Sequence, residues 1–149
     1  MNTTGRLNVE RPSLQVAKFD EDHFPRPWSC GQWSELDPDH HFLFTWRNQF
    51  QSLMAFALFG FAPGDKTAHL YKVLIQPESR GSDVSREFWS SITRELLNKG
   101  FDSIYLEVED SNKRAIRFYQ KNGFQILRIN KCYYSNGEDA LIMTYSFKV

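Results

Sequence analysis

A chain of 149 residues, 41% hydrophobic and 24% charged, can bury one core and is not a disordered segment; a single domain over 1–149 is expected. Eighteen basic and eighteen acidic side chains cancel, so the overall electrostatic bias that nucleic-acid binding uses is missing, and no nucleic-acid partner is expected. Two cysteines, Cys30 and Cys132, cannot build a disulfide scaffold or a zinc site and read as reduced thiols of a cytoplasmic protein.

In chain order, residues 1–10 are polar, lack the apolar stretch of a signal peptide, and are expected to be loosely structured, as far as about residue 12. Residues 13–23 fit a short helix or an edge strand equally. A turn with two prolines, Phe24-Pro25-Arg26-Pro27-Trp28, precedes Ser29, which can cap a short helix through Leu36. Three strands are predicted next, at 41–46, 53–61 and 67–75. The turn Ala62-Pro63-Gly64-Asp65 makes the last two an antiparallel hairpin, and Pro77 stops the second of them. The run 53–61 is the longest apolar stretch and is far too short to span a bilayer, so no membrane partner is expected.

From 83 to 99 the period becomes helical: Val84, Phe88, Ile92 and Leu96 recur every four residues, with Trp89 and Leu97 widening the stripe. Ser82 or Asp83 stands at the N-cap and Gly100 at the end. Residues 103–108 alternate around Ile104, Leu106 and Val108. A second helix at 112–122 carries Ala115, Ile116 and Tyr119 on one face and stops at Gly123. Two last strands, 124–134 and 140–147, flank Ser135-Asn136-Gly137-Glu138. This order predicts an α/β (α+β) fold, a mixed and mostly antiparallel sheet flanked by helices. His40-His41 is adjacent rather than at metal-ligand spacing, His23 and His69 are isolated, and Cys132 is expected to be a small buried side chain.

Between Val73 and Met143 four pieces follow one another. They are Ile75-Gln76-Pro77-Glu78-Ser79-Arg80; Leu106-Glu107-Val108 with Ser111-Asn112; Ala115-Ile116-Arg117-Phe118-Tyr119 with Gly123-Phe124; and Tyr133-Tyr134 leading to Glu138-Asp139-Ala140-Leu141-Ile142-Met143. Each is weak alone, but in this order and spacing they resemble the RimI-type branch of the GNAT superfamily of N-acetyltransferases, over about half the chain. Phe24-Pro25 with Trp28-Ser29 is similar to the aromatic turn near the start of that family's domain. The resemblance implies a GNAT fold and direct transfer of acetyl from acetyl-CoA to a primary amine, without a metal.

Such a transfer needs a group to take the amine's proton, a donor for the developing oxyanion and a proton for the departing thiolate. By resemblance Glu107 is the proton acceptor, and a carboxylate in a partly apolar cleft is biased toward that task. Tyr119 matches the donor to the sulfur. Read from the residues alone, Glu107 is sooner an edge-strand glutamate in solvent and Tyr119 sooner a packing side chain, and the motif context turns both toward catalysis. Asn112 matches a position that bonds the CoA arm, and asparagine also suits a helix start. Val73, Leu74 and Ile75 match the strand beside the pantetheine.

The family's diphosphate loop, Gln/Arg-x-x-Gly-x-Gly/Ala, corresponds to Arg80-Gly81-Ser82-Asp83-Val84-Ser85 followed by Arg86. Arg80 fits and Ser85 is small, but Asp83 brings a like charge toward the phosphates. Arg80 and Arg86 can offset it, or the carboxylate can turn away as a helix cap. On the acceptor side Tyr133, Tyr134 and Glu138 (or Asp139) resemble the loop bordering a groove for a protein N-terminus. Lys131 and Asn130 stand where an arginine is frequent in RimI-type members. The resemblance therefore implies a protein or peptide N-terminus as acceptor, a ribosomal protein among the candidates, for a monomer or homodimer. Two other readings stay open: a small-molecule amine as acceptor, and an interaction module in which Asp83 has weakened acetyl-CoA binding.

Overall fold

A computed structural model describes residues 5–24, 26–80 and 83–147 of the chain. The elements are β1 (Arg6–Glu10), α1 (Leu14–His23), α2 (Cys30–Ser34), β2 (His41–Arg47), β3 (Leu53–Gly60), β4 (Thr67–Ile75), a 3-10 turn (Pro77–Ser79), α3 (Asp83–Asn98), β5 (Ser103–Glu109), α4 (Lys113–Lys121), β6 (Gln125–Asn130) and β7 (Ala140–Ser146). The strands form one seven-stranded sheet in the order β1-β2-β3-β4-β5-β7-β6. Every neighbouring pair is antiparallel except β4–β5, which are parallel and joined through α3, as a parallel pair requires a crossover.

The sheet buries both faces. On one side Phe88, Trp89, Ile92 and Leu96 of α3 pack on Phe44, Phe59, Ile104, Leu106 and Met143. On the other, Val16 and Phe19 of α1 and Trp33 of α2 pack on Leu43, Phe56, Leu58 and Leu74. Leu97 does not widen the α3 stripe and is 51% exposed. Where the helix ends, Phe101 donates its N–H back to the Leu96 carbonyl (3.0 Å) and fills that side of the core instead.

Caps decide the early helices. Ser13 Oγ accepts from the Val16 N–H at 3.2 Å and starts α1, which settles 13–23 as a helix. Ser29 and Gln32 form a reciprocal capping box at the start of α2.

The expectation of a loose start is overturned within the described residues, because Arg6–Glu10 forms edge strand β1 against β2. Its polar alternation hid it, since only Leu7 reaches the core and Val9 is 56% exposed. What holds it is a bidentate pair, Arg47 Nε to Glu10 Oε2 at 2.7 Å and Arg47 Nη2 to Glu10 Oε1 at 2.9 Å. The Arg47 guanidinium holds the Glu10 carboxyl below the usual carboxylate range.

The strand expected over 124–134 ends at Asn130. Cys132 takes a left-handed φ of 50°, and Asp139 accepts from the Cys132 N–H (2.9 Å) and from the Lys131 ammonium (3.2 Å), closing a loop. Cys132 is therefore exposed, not buried.

One irregularity shapes β4. Leu70 pairs Phe59 and Lys72 pairs Leu58, so Tyr71 is an extra residue, a bulge. Gly60 makes room for it, since a Cβ there would lie 2.5 Å from the Tyr71 ring. The bulge also turns Lys72 inward, where it is 3% exposed and pairs with Asp20 of α1 at 2.9 Å. Asp20 Oδ2 also accepts from the Trp28 N–H (2.8 Å), and the Lys72 ammonium sits 3.7 Å from the Phe24 ring centroid. Burial pushes the Lys72 ammonium below its ordinary range, against the opposing pull of Asp20. This pair ties α1 and the segment after it to β4.

Candidate active site

The parallel ladder between β4 and β5 covers only Thr67–His69 against Ser103–Tyr105. Beyond it the two strands part, and the backbone of Val73–Ile75 on that side has no strand partner among the described residues. A cleft of about 220 Å³ opens there, lined by Val73, Leu74, Ile75, Arg80, Asn112 and Tyr119 from the residues named by resemblance. His23, Phe24, Arg114, Ala115 and Phe118 complete it. Asn112, Ala115 and Tyr119 share the cleft face of α4, whose ends are set by its caps. Asn112 Oδ1 accepts from the Ala115 N–H at 3.2 Å, and Asn122 Nδ2 donates to the Phe118 carbonyl at 2.8 Å. Gly123 ends the helix with φ 98°, and a Cβ there would meet the Tyr145 ring at 2.8 Å.

Tyr119 packs against Phe118 and Phe124, with ring centroids 5.6 and 5.5 Å away. Burial, with a smaller contribution from Tyr134, pushes its phenol well above the ordinary tyrosine range, so it stays protonated at neutral pH. Arg80 Nε donates to the Ile75 carbonyl at 2.9 Å, and burial together with the charge of Arg114 lowers its pKa. Two guanidiniums thus border the cleft. Asp83 begins α3 and is bound by Arg86, which turns its carboxylate toward a cation of its own helix. Val84 packs against the core and Ser85 is buried, while Gly81 and Ser82 lie outside the described residues.

Glu107 stands on β5 with Tyr105 and Glu109, opposite in alternation to the buried Ile104, Leu106 and Val108. Its carboxylate is held from both oxygens: His69 Nε2 lies 2.9 Å from Oε1, and the Tyr133 hydroxyl donates to Oε2. That bond pushes the Tyr133 phenol up to about 12. Tyr134 lies between the candidate groups electrostatically. Burial and then Glu107 and Glu109 push it up to about 12, and it in turn acts on Tyr119. Arg26, from the segment after α1, pairs with Glu109.

The structure thus gathers Val73, Leu74, Ile75, Arg80, Asn112 and Tyr119 in one cleft, and Glu107 with Tyr133 at the point where the strands separate. Glu138 offers its carbonyl to the Tyr134 N–H (3.1 Å) within the loop, and Asp139 serves that loop's own closure. His69, Arg26 and Arg114 were missed. For His69 the signal was available: in a parallel pair, a residue on the exposed face of β4 lies beside the exposed face of β5.

The site is thus a sheet opened between two parallel strands, with apolar walls and two guanidiniums bordering the cleft. The chain belongs to the acetyltransferase (GNAT) family, whose profile matches residues 8–124. That family is one of acetyl-CoA-dependent acyltransferases, and its fold is the mixed α/β sheet flanked by helices found here. The chain is similar to the [ribosomal protein bS18]-alanine N-acetyltransferase of Escherichia coli K12, 28% identical over 147 residues and covering 96% of both chains. The crystal structure of the E. coli ribosomal-protein-S18-alanine N-acetyltransferase superposes with a TM-score of 0.78 at 22% identity, over 97% of this chain and 96% of that one. Relatives from Saccharolobus solfataricus and Bacillus subtilis are 30% and 39% identical over 79 and 77 residues, 52% and 51% of this chain. The chain spans about half of their lengths, 47% and 51%.

The cleft's chemistry fits acetyl-CoA: a strand edge without a neighbouring strand among the described residues for the amides of its arm, apolar walls for its methylenes, and Arg80 with Arg114 for its phosphates. Among the described residues no cluster of histidine, cysteine, aspartate and glutamate could hold a metal ion, and no helix is long and apolar enough to cross a membrane.

Proposed function

We propose that the chain moves the acetyl group of acetyl-CoA to the α-amine of a protein or peptide N-terminus, with Glu107 as general base and Tyr119 as general acid. The observation that carries this reading is a pair of environments linked electrostatically through Tyr134. One is a carboxylate fixed from both oxygens where β4 and β5 part, and the other a half-buried, protonated phenol in the cleft. Glu107 takes a proton from the acceptor ammonium, and Tyr119 gives its own to the departing sulfur. The main chain of Val73, Leu74 and Ile75, with Asn112, aligns the pantetheine arm, while Arg80 and the start of α3 face the diphosphate. Tyr133, Tyr134 and Glu138 border the acceptor's approach. The E. coli relative is named for an alanine of ribosomal protein bS18, which makes a ribosomal protein the first acceptor to try and a cytoplasmic setting its natural place.

Because Arg86 engages Asp83, the diphosphate loop keeps useful affinity, and acetyl-CoA is expected to bind at micromolar concentration or better. Asp83→Gly removes one like charge and is expected to tighten binding by about fivefold in calorimetric titration. No heat and no thermal shift at millimolar acetyl-CoA would leave only the interaction-module reading. Tyr119→Phe is expected to lower turnover at least about tenfold while the acetyl-CoA Kd stays within about twofold. Equal turnover would take Tyr119 out of the mechanism. The acceptor is identified by incubating a proteome with the protein and isotope-labelled acetyl-CoA and mapping labelled N-termini by mass spectrometry. Label confined to small amines would refute a protein acceptor.

A further inference from the structure

We infer that His69 is a positioning residue for Glu107, holding its carboxylate in the orientation that meets the acceptor amine. The inference rests on the reading of Glu107 as the base. Its own support is geometric. The β4–β5 ladder stops at His69 opposite Tyr105, so Glu107, two residues further along β5, has no β4 backbone beside it. His69 reaches forward from the last rung and closes that gap, Nε2 to Oε1 at 2.9 Å, with the two side chains 20% and 18% exposed.

The imidazole is itself clamped. The Tyr105 ring stacks on it at 4.2 Å and 21°, and the Tyr71 ring meets it at 4.3 Å. Tyr71 is placed by the β4 bulge and is braced by Trp28 and His41, at 6.4 and 5.7 Å between centroids. With the Tyr133 hydroxyl on Oε2, the carboxylate is held by donors from β4 and from the loop before β7, which leaves its remaining lone pairs for the acceptor. A positioned base of this kind follows the general rule that reactive groups need fixed neighbours.

His69 also lines a cavity of about 390 Å³ together with His40, His41, Asp65, Tyr71 and Tyr105. The groups facing it are Glu107 and Tyr105 on β5, Tyr71 on β4, His41 on β2 and Asp65 in the β3–β4 loop. Burial lowers the His69 pKa and Glu107 opposes that, leaving it below the ordinary histidine range and neutral at physiological pH. As a neutral donor it completes the hydrogen bond without adding a charge beside Glu107; once protonated it ties the carboxylate into an ion pair that competes with the acceptor ammonium.

The test uses His69→Ala and His69→Gln in the full chain. His69→Ala is expected to lower kcat about tenfold with the acetyl-CoA Kd unchanged. His69→Gln can still donate to Glu107 but cannot take up a proton. It is expected to recover most of that turnover and to move the acid limb of kcat/KM to lower pH, because the side chain at position 69 no longer takes up a proton. His69→Ala at full turnover, or His69→Gln with the alanine variant's loss and an unmoved acid limb, overturns the inference.

A measurement independent of turnover follows the His69 imidazole by nitrogen-15 NMR. Glu107→Gln is expected to lower the pH at which the ring titrates, and an unchanged titration also overturns the inference. A wild-type chain that binds acetyl-CoA yet transfers nothing to any acceptor refutes Glu107 as base. An active wild type matched by His69→Ala refutes the positioning role alone.

Discussion

Glu107→Gln is expected to lower turnover by about two to three orders of magnitude while the acetyl-CoA Kd stays within about twofold. Glutamine preserves the shape of the side chain and can still meet Tyr133 and His69, so the loss isolates basicity from packing. Glu107 lies outside the wall of the cleft that would hold the pantetheine arm, which is why donor affinity is spared. Steady-state turnover against a peptide N-terminus, paired with calorimetry on the same preparation, separates the two quantities. Turnover near wild type would transfer the proton-accepting role elsewhere on β5, with Glu109 next in line and already neutralised by Arg26.

Asp20→Ala is expected to destabilise the fold by about 3–5 kcal/mol, read as a lower urea midpoint. The exchange strands the Lys72 ammonium among Phe24, Trp28 and the core, at 3% residue exposure, leaving it the Arg26 carbonyl at 3.4 Å as acceptor among the described residues. The Trp28 N–H loses its acceptor as well. Adding Lys72→Met to Asp20→Leu is expected to recover much of the loss, since apolar groups of similar size replace a buried pair at small cost. A single alanine exchange that leaves the urea midpoint in place would show that water already reaches the pair.

Most strands and the helices α3 and α4 were legible because each follows one clear period. Phe88, Ile92 and Leu96 mark α3, and Ile104, Leu106 and Val108 mark β5. β1 was not legible, because its hold on the sheet is an ion pair with Arg47, thirty-seven positions away in sequence, rather than an apolar stripe. The bulge at Tyr71 was equally hidden, because the inserted residue shows only once the β3 partner is known. In the candidate site, the cleft residues 73–75, 80, 112 and 119 were reached through motif resemblance and lie together. Lys72 and Asp20 were passed over, since a charged side chain on a strand ordinarily faces water. Cys132 was misjudged because a small residue between strand-like neighbours gives no hint of a left-handed backbone.

The short parallel ladder has one more implication. Three rungs join the two portions of the sheet, and past them β4, still paired with β3, has no strand beside its other edge among the described residues. A thin, amide-bearing molecule lodged there would complete the row as a surrogate strand, stitching β4 to β5 along the length the polypeptide leaves open. A guest bound in this way would count, for the duration of its stay, as part of the architecture.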